Sequence, residues 1–326
     1  CSLPNIFIQK FFLTKFFYPH IGGVEKHVLM ISRELVKRNH QVTIATQKYD
    51  PKLKSFELIQ GIKVVRLPYC ESKWGIWRKL WQNRQLFKSA DIIHCHDIFF
   101  WYLPFCLLLP FKPVFTTFHG WEGKFPIPLK NLVLRKLYEW LSWGNICIGG
   151  YLTIWYKTKP DFISYGAVEP IKIKPAQPKT KHLIFIGRLQ ADLGLLEYFK
   201  AFKILTKQGY KITFVGDGPL RQKAVKLGRV VGKVNNIQPF LLSASHVFCS
   251  SYLIIWEALR LKRQVFALYN NGLKKDYLIT FPAAKHIHIS NSAQELISQL
   301  DQNLPPCPKY PKWSGVAKIY LQLWQK

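Results

Sequence analysis

The sequence predicts an α/β protein made of two successive parallel-sheet halves. Short apolar, strand-like runs alternate with helix-length segments from one end of the chain to the other. Parallel strands joined by crossover helices require that arrangement. The alternation stops once, at a polar stretch over 169–181 rich in Lys and holding Pro170, Pro175 and Pro178, and then restarts. Such a stretch reads as an interdomain linker. The length of 326 residues leaves each half room to bury its own core.

In the first half the strand-like runs are Ile6-Phe7-Ile8 with 11–13, then 42–46, 63–67, 91–95, 114–118, 145–149 and 162–164. A helix follows Gly22-Gly23, because Val24, Val28, Ile31 and Leu35 recur at three- and four-residue spacing. Further helices are expected over 77–88 and 129–143. The longest apolar run, 98–111, carries Pro104 and Pro110. It is shorter than the roughly 20 residues that span a bilayer, so it is expected to be a buried helix, with an interfacial membrane contact as the second reading. In the second half, strands are expected over 182–186, 211–215, 229–232, 246–249 and 264–268. Helices are expected over 195–207, 222–227, 256–260 and 293–302. The closing segment 313–325 reads as a helix with Val316, Ile319, Tyr320 and Leu323 on one stripe.

Apolar residues at 48% and charged residues at 20% mark a folded globular chain rather than a disordered one. The charge is strongly basic, 47 Lys and Arg against 18 Asp and Glu, for a net +29. Up to Tyr165 there are 23 basic and 10 acidic residues, and beyond it 24 and 8. The excess is spread over both halves, so it is not a basic tail. It reflects a compositional bias of the lineage or a field that attracts anionic lipid, polyanionic glycan or nucleic acid. With no recognition module present, a specific nucleic acid is not an expected partner. The seven cysteines form no C-x-x-C pair and are odd in number, which points to a reducing compartment rather than a disulfide framework. The chain opens Cys1-Ser2-Leu3, reads as lacking its initiator Met, and shows no secretory leader.

Several strand ends carry chemistry. Gly22 and Gly23 open a helix, where backbone N–H groups and the positive dipole end favour a phosphate or sugar. Phe185-Ile186-Gly187-Arg188-Leu189 delivers a guanidinium to the carboxyl edge of a strand, where ligands of such sheets bind, and its fork suits diphosphate oxygens. In Val215-Gly216-Asp217-Gly218-Pro219, two glycines permit a tight strand-to-helix turn and proline suits the first helical position. His119 ends the strand Thr116-Thr117-Phe118, where a group titrating near neutrality can position hydroxyls. Strand alternation sets His94 and His96 on one face, so a zinc site is conceivable there.

Taken together these segments resemble glycosyltransferase family 4, a retaining group with two Rossmann-like domains, the GT-B fold. Pro19, the Gly22-Gly23 pair, Glu25, the apolar helix and Arg38-Asn39-His40-Gln41-Val42 follow the family's N-terminal signature. Thr116–Gly120 is similar to its t-x-H-g segment, residues 94–97 to its H-a-H-d, residues 187–189 to its G-R-L and residues 215–221 to its v-G-d-G-p-l-r. Gly232-Lys233-Val234 resembles a strand end that contacts the nucleotide. Cys249-Ser250-Ser251-Tyr252 with Trp256-Glu257-Ala258-Leu259 resembles the donor-sugar segment. The resemblance implies that Arg188 grips the diphosphate and that Glu257, near a helix start, takes the ribose hydroxyls. It sets His119 beside donor and acceptor, and Gly22, Gly23, Gly187, Gly216, Gly218, Lys233, Ser250 and Ser251 around the nucleotide-sugar. Two departures stand out: Leu193 occupies the place of a usual Lys before Gly194, and the first Glu of the donor-sugar segment is missing with its Gly-Phe-Gly loop.

The resemblance implies domains over 1–165 and 182–311, a linker over 166–181, a last helix over 312–326 crossing back to the first domain, and a central cleft between the domains. It implies transfer of a sugar from a nucleotide-diphosphate sugar to a glycan, a lipid-linked or another acceptor, with no further cofactor and no metal ligand. The expected location is cytoplasmic, with peripheral contact to an anionic membrane surface. The departures keep two alternatives open: a degenerate protein that binds nucleotide or glycan without turnover, and a nucleotide-sugar epimerase of the same fold.

Overall fold

The computed structural model describes residues 8–171, 180–191 and 194–326. It divides into two compact units, one running up to Ser164 and including Trp313–Lys326, the other Tyr165–Lys312.

In chain order the first unit holds β1 (Gln9–Thr14), α1 (Gly23–Val36), β2 (Gln41–Gln47), β3 (Phe56–Ile59), β4 (Ile62–Leu67), α2 (Lys73–Gln82), α3 (Gln85–Ser89) and β5 (Ile92–His96). Then come α4 (Leu103–Cys106), β6 (Val114–Phe118), α5 (Leu129–Leu141), β7 (Gly144–Ile148), α6 (Tyr151–Trp155) and β8 (Phe162–Ser164). Its sheet runs β3-β4-β2-β1-β5-β6-β7-β8. Every pair is parallel except β3 with β4. That hairpin turns at Gln60-Gly61, both at positive φ of 53° and 83°, the mirror-type geometry of a two-residue turn. β3 is an edge strand whose Phe56 and Leu58 face solvent, which explains why apolar patterning did not reveal it.

Two expectations for this unit are corrected. The helix expected over 77–88 is two helices, because Asn83 ends α2 and its Nδ2 donates to Lys79 O at 2.9 Å. The buried helix expected over 98–111 is a 3₁₀ turn at Phe99–Trp101 followed by the single turn of α4, which has proline in its first turn. Phe99, Trp101, Tyr102 and Phe105 are buried, but Leu107, Leu108 and Phe111 stand in solvent.

The second unit holds β9 (His182–Ile186), α7 (Leu195–Lys207), β10 (Lys211–Val215), α8 (Arg221–Val225), β11 (Arg229–Gly232), α9 (Gln238–Ser243) and β12 (His246–Phe248). It continues with α10 (Tyr252–Arg260), β13 (Gln264–Leu268), α11 (Gly272–Ile279), β14 (His288–Ser290) and α12 (Ala293–Ser298). All five pairings of its sheet, β11-β10-β9-β12-β13-β14, are parallel. The core is aromatic, with Phe185, Tyr198, Phe202, Phe214, Phe248 and Phe266 in one cluster. Part of the expected linker belongs here: Ala167 and Val168 are buried, and Val168 bridges Lys312. Residues 172–179 lie outside the described residues.

The last helix, α13 (Trp313–Leu323), packs on α1 in the first unit. It buries Trp313, Val316, Ala317, Tyr320 and Leu323, and each large apolar side chain contributes about 1.5–3 kcal/mol. Among the described residues no helix is long and apolar enough to cross a membrane. None of the six described cysteines is in a disulfide.

Candidate functional site

In the second unit the carboxyl ends of β9, β10 and β11 lie side by side, and their following loops shape an open pocket of about 500 Å3. Arg188, Gln190, Asp217, Gly218 and Lys233 line it. The loops are laced by backbone bonds: Leu189 N to Asp217 O at 3.0 Å, Leu220 N to Leu189 O at 2.9 Å, and Gly216 N to Gly232 O at 2.8 Å. Glycine is required at two places. Gly216 has φ 147°, and a Cβ there would fall 1.9 Å from Gly187 O; at Gly218, φ 157°, it would fall 2.6 Å from Leu189 O. Asp217 is committed to this loop. Its carboxylate accepts Gly218 N–H at 2.8 Å and pairs with Arg221 Nη1 at 3.1 Å. The Gly218 N–H, with Arg221 beside it, holds the carboxyl below its usual range. The pocket's remaining ionic groups are cations, Arg188 and Lys233.

The neighbouring strand end is built differently. Ser250 and Ser251 are half-buried between β12 and α10. Tyr252 opens that helix and stacks on Tyr277 with centroids 3.9 Å apart and planes 1° apart. Tyr252 N–H points at the Tyr277 hydroxyl at 3.3 Å, and Tyr252 Oη donates to Tyr277 O at 2.7 Å. Phe281 extends the stack, and Trp256 lies tilted against Phe281 with centroids 4.6 Å apart. Because α10 begins four residues before the expected 256, Glu257 lies inside the helix and is 7% exposed, not at a helix start. It is not among the residues lining the pocket.

The first unit carries a histidine cluster at the carboxyl ends of β5 and β6. Trp324 Nε1, which can only donate, lies 3.1 Å from His94 Nδ1. His94 Nε2 is 2.7 Å from Thr117 Oγ1, which is 2.9 Å from Tyr320 Oη, which is 2.9 Å from His27 Nε2. Run in that direction, each member donates once, and His94 carries its proton on Nε2. His96 Nδ1 is 2.9 Å from His119 Nε2, and His96 Nε2 is buried with no partner among the described residues. An orphaned buried N–H costs about 1–3 kcal/mol, so we assign the proton to His96 Nδ1. His119 then accepts on Nε2 and offers Nδ1–H. Its backbone N–H donates to Asp97 Oδ1 at 2.7 Å. Arg135 holds the next residues: Nη2 donates to Gly120 O at 2.8 Å, and the guanidinium lies over Phe118 and Tyr156. Burial pushes His27 and His94 down to about 3. It holds His96 and His119 well below the ordinary histidine value, so the imidazoles are neutral near pH 7. Among the described residues no group of three or more His, Cys, Asp or Glu side chains is arranged to hold a metal ion.

At the start of α1, Gly22 caps the helix in extended backbone without a side-chain bond. Glu25, paired with His20 at 2.6 Å, folds over it, so that a Cβ on Gly22 would meet Glu25 Oε2 at 2.1 Å. A Cβ on Gly23 would meet nothing within 4 Å. The structure therefore gathers Arg188, Gly218 and Lys233 around one pocket, with Gly187 and Gly216 in the loops that shape it and Ser250 and Ser251 at the end of the adjoining strand, β12. His119, Gly22 and Gly23 stand on the other unit. Sequence reading missed His27, Thr117 and Tyr320. The signal for His27 was available, as a polar residue three positions after Val24 on the apolar stripe of α1.

Residues 21–152 match the model for Glycosyltransferase Family 4. The chain is 39% identical over 241 residues to the phosphatidylinositol N-acetylglucosaminyltransferase GPI3 subunit of Saccharomyces cerevisiae, covering 64% of this chain and 52% of that one. It thus spans about half the length of that relative. Sucrose-phosphate synthase from Thermosynechococcus elongatus superposes with a TM-score of 0.68 over 98% of this chain and 94% of its own, at 15% identity. UDP-N-acetylglucosamine 2-epimerase from Rickettsia bellii gives 0.64 over 97% and 96%, at 12% identity. At such identities these structures establish the fold alone, which is GT-B. The family match in the first unit, the GPI3 alignment and the fold of both sheets converge in support of a glycosyltransferase of family 4.

Proposed function

We propose that the chain is a retaining glycosyltransferase that takes a sugar from a nucleotide-diphosphate sugar and delivers it to a lipid-linked acceptor. The observation that carries this reading is the pocket at the ends of β9, β10 and β11, where Arg188 and Lys233 line one volume of about 500 Å3. Two cations from different strands suit two phosphates, Arg188 as a bidentate fork and Lys233 as a point charge. Lys233 supplies the second cation that Leu193, outside the described residues, does not. Charge fixed in place before reaction stabilises the leaving diphosphate. In the first unit, the start of α1 at Gly22 and Gly23 offers helix N–H groups, and neutral His119 offers Nδ1–H, each suited to a phosphate or sugar oxygen. The reaction runs on one face of the sugar, without a metal ion, in a chain peripheral to the cytoplasmic face of a membrane. The name of the yeast relative makes N-acetylglucosamine and phosphatidylinositol the first sugar and acceptor to try.

The test is binding and turnover of UDP-N-acetylglucosamine and other nucleotide-sugars by Arg188→Ala and Lys233→Ala. Losing a hydrogen bond to a charged group costs about 1.5–3 kcal/mol, so each variant should bind about ten- to hundredfold more weakly. Unchanged turnover in Arg188→Ala would sink the assignment. One observation favours binding without turnover: the Tyr252–Tyr277 stack meets the first N–H of α10, and Glu257 is not among the residues lining the pocket. Tight nucleotide-sugar binding with no transfer to phosphatidylinositol or polyprenyl acceptors would put that reading first. Turnover without any acceptor would favour an epimerase.

A further inference from the structure

We propose that the first unit docks on an anionic lipid surface through the outward face of α5 and the turn at residues 107–111. α5 is apolar on its solvent face as well as on the face toward the core. Its only buried residue is Arg135, while Leu129, Val133, Leu137 and Trp140 are exposed at 74%, 59%, 38% and 79%. Spacings of four, four and three put these four on one stripe. Leu107 and Phe111 are exposed at 89% and 88%. The two segments are neighbours, since Tyr138 of α5 stacks on Phe99 at 5.3 Å and Trp143 N–H donates to Val114 O at 2.8 Å. Tyr138, Leu141, Leu103 and Leu109 pack against one core cluster. Soluble proteins rarely leave such an apolar surface uncovered.

Charge decides the occupant. Lys130 rises from α5 itself and Lys124 from the adjoining segment, while Lys136 pairs with Glu139 at 2.9 Å and Lys112 donates to Lys88 O and Ala90 O, within a stretch of 23 basic against 10 acidic residues up to Tyr165. An apolar stripe bearing tryptophan and flanked by lysines matches an anionic headgroup layer over a hydrocarbon boundary. This deepens the reading of a lipid-linked acceptor by naming the face that meets the bilayer. Its test needs no turnover, so the two can fail separately.

The full chain would be sedimented with vesicles of phosphatidylcholine alone and of phosphatidylcholine mixed with phosphatidylserine, at low and at physiological salt. The comparison is a Phe111→Ser, Trp140→Ser double variant, whose positions are exposed and leave the core intact. We expect selective recovery with the phosphatidylserine vesicles, weakening with salt, and a partition at least about tenfold lower in the variant. Recovery in the supernatant with both vesicles, or undiminished binding by the variant, overturns the proposal. A concentration-dependent dimer that the variant abolishes, without vesicle binding, overturns it in favour of a second copy of the chain.

Discussion

The first unit should lose stability as pH falls below about 6.5, while remaining at full stability above it. His27 and His94 are buried and pushed down to about 3, whereas an unfolded histidine titrates near 6.5. Between those values the unfolded chain binds more protons than the folded one, so stability drops as pH drops. One unit below the unfolded value each such histidine costs about 1.4 kcal/mol, and the pair about 3 kcal/mol. His96 and His119, displaced in the same direction, add to this. Against a typical total of about 5–15 kcal/mol, that is a large loss. The geometry gives the same sign. A proton added to His94 Nδ1 would face Trp324 Nε1–H at 3.1 Å, two donors with no acceptor between them. With two units a single unfolding free energy is not defined, so segment-resolved hydrogen exchange between about pH 7.5 and 5.5 is the measurement. Protection should fall in β5, β6 and α13. Flat protection there, or imidazole resonances of His27 and His94 titrating near 6.5, would show that the cluster is not held neutral.

This cluster marks where sequence reading ends. His119 and His94 were legible because a parallel sheet puts the carboxyl ends of its strands on one edge, and the strands around Ile92–His96 and Val114–Phe118 are plain apolar runs. Their partners were not. Tyr320 meets His27 across 293 residues, a contact made only when α13 packs on α1, and in sequence Tyr320 reads simply as part of an apolar stripe. The same limit applies to α5. Its period is legible, but that its apolar stripe faces outward while Arg135 goes inward depends on Gly120, Phe118 and Tyr156 being present to receive the guanidinium.

In the second unit the strand-end residues were more legible than the helix that follows them. Arg188, Gly218 and Lys233 each sit one to three residues beyond an apolar strand, and adjacency of β9, β10 and β11 in the sheet brings them into one pocket. Glu257 depended on where α10 begins. Tyr252 through Ile255 look like a strand-end loop in sequence, and only the stack with Tyr277 and Phe281 shows that they form the first turn of the helix. Short elements with weak periodicity, such as α9 and β14, gave no pattern long enough to read.

Gly216→Ala should break the pocket, and Gly23→Ala should not disturb the fold at all. At Gly216 the added methyl carbon would lie 1.9 Å from Gly187 O and 2.9 Å from Gly187 C. Both are backbone atoms, so no side-chain rotation relieves the overlap, and a φ of 147° is itself one that L side chains rarely adopt. The ends of β9 and β10 must separate, at a cost of about 3 kcal/mol or more, and Arg188 loses its register with Gly218 and Lys233. Donor binding should disappear along with protection of the β9 and β10 amides. Gly23 is the opposite case, because a methyl there meets nothing within 4 Å and alanine suits a first helical turn better than glycine by up to about 1 kcal/mol. Stability should hold or rise. If a phosphate or sugar oxygen approaches the N–H groups at the start of α1, the same substitution should still lower turnover, because only the bound group meets the methyl. Reduced turnover at undiminished stability would establish that approach. Undiminished turnover would remove Gly23 from the site, and undiminished stability in Gly216→Ala would show that the loops of β9 and β10 are not locked as the geometry requires.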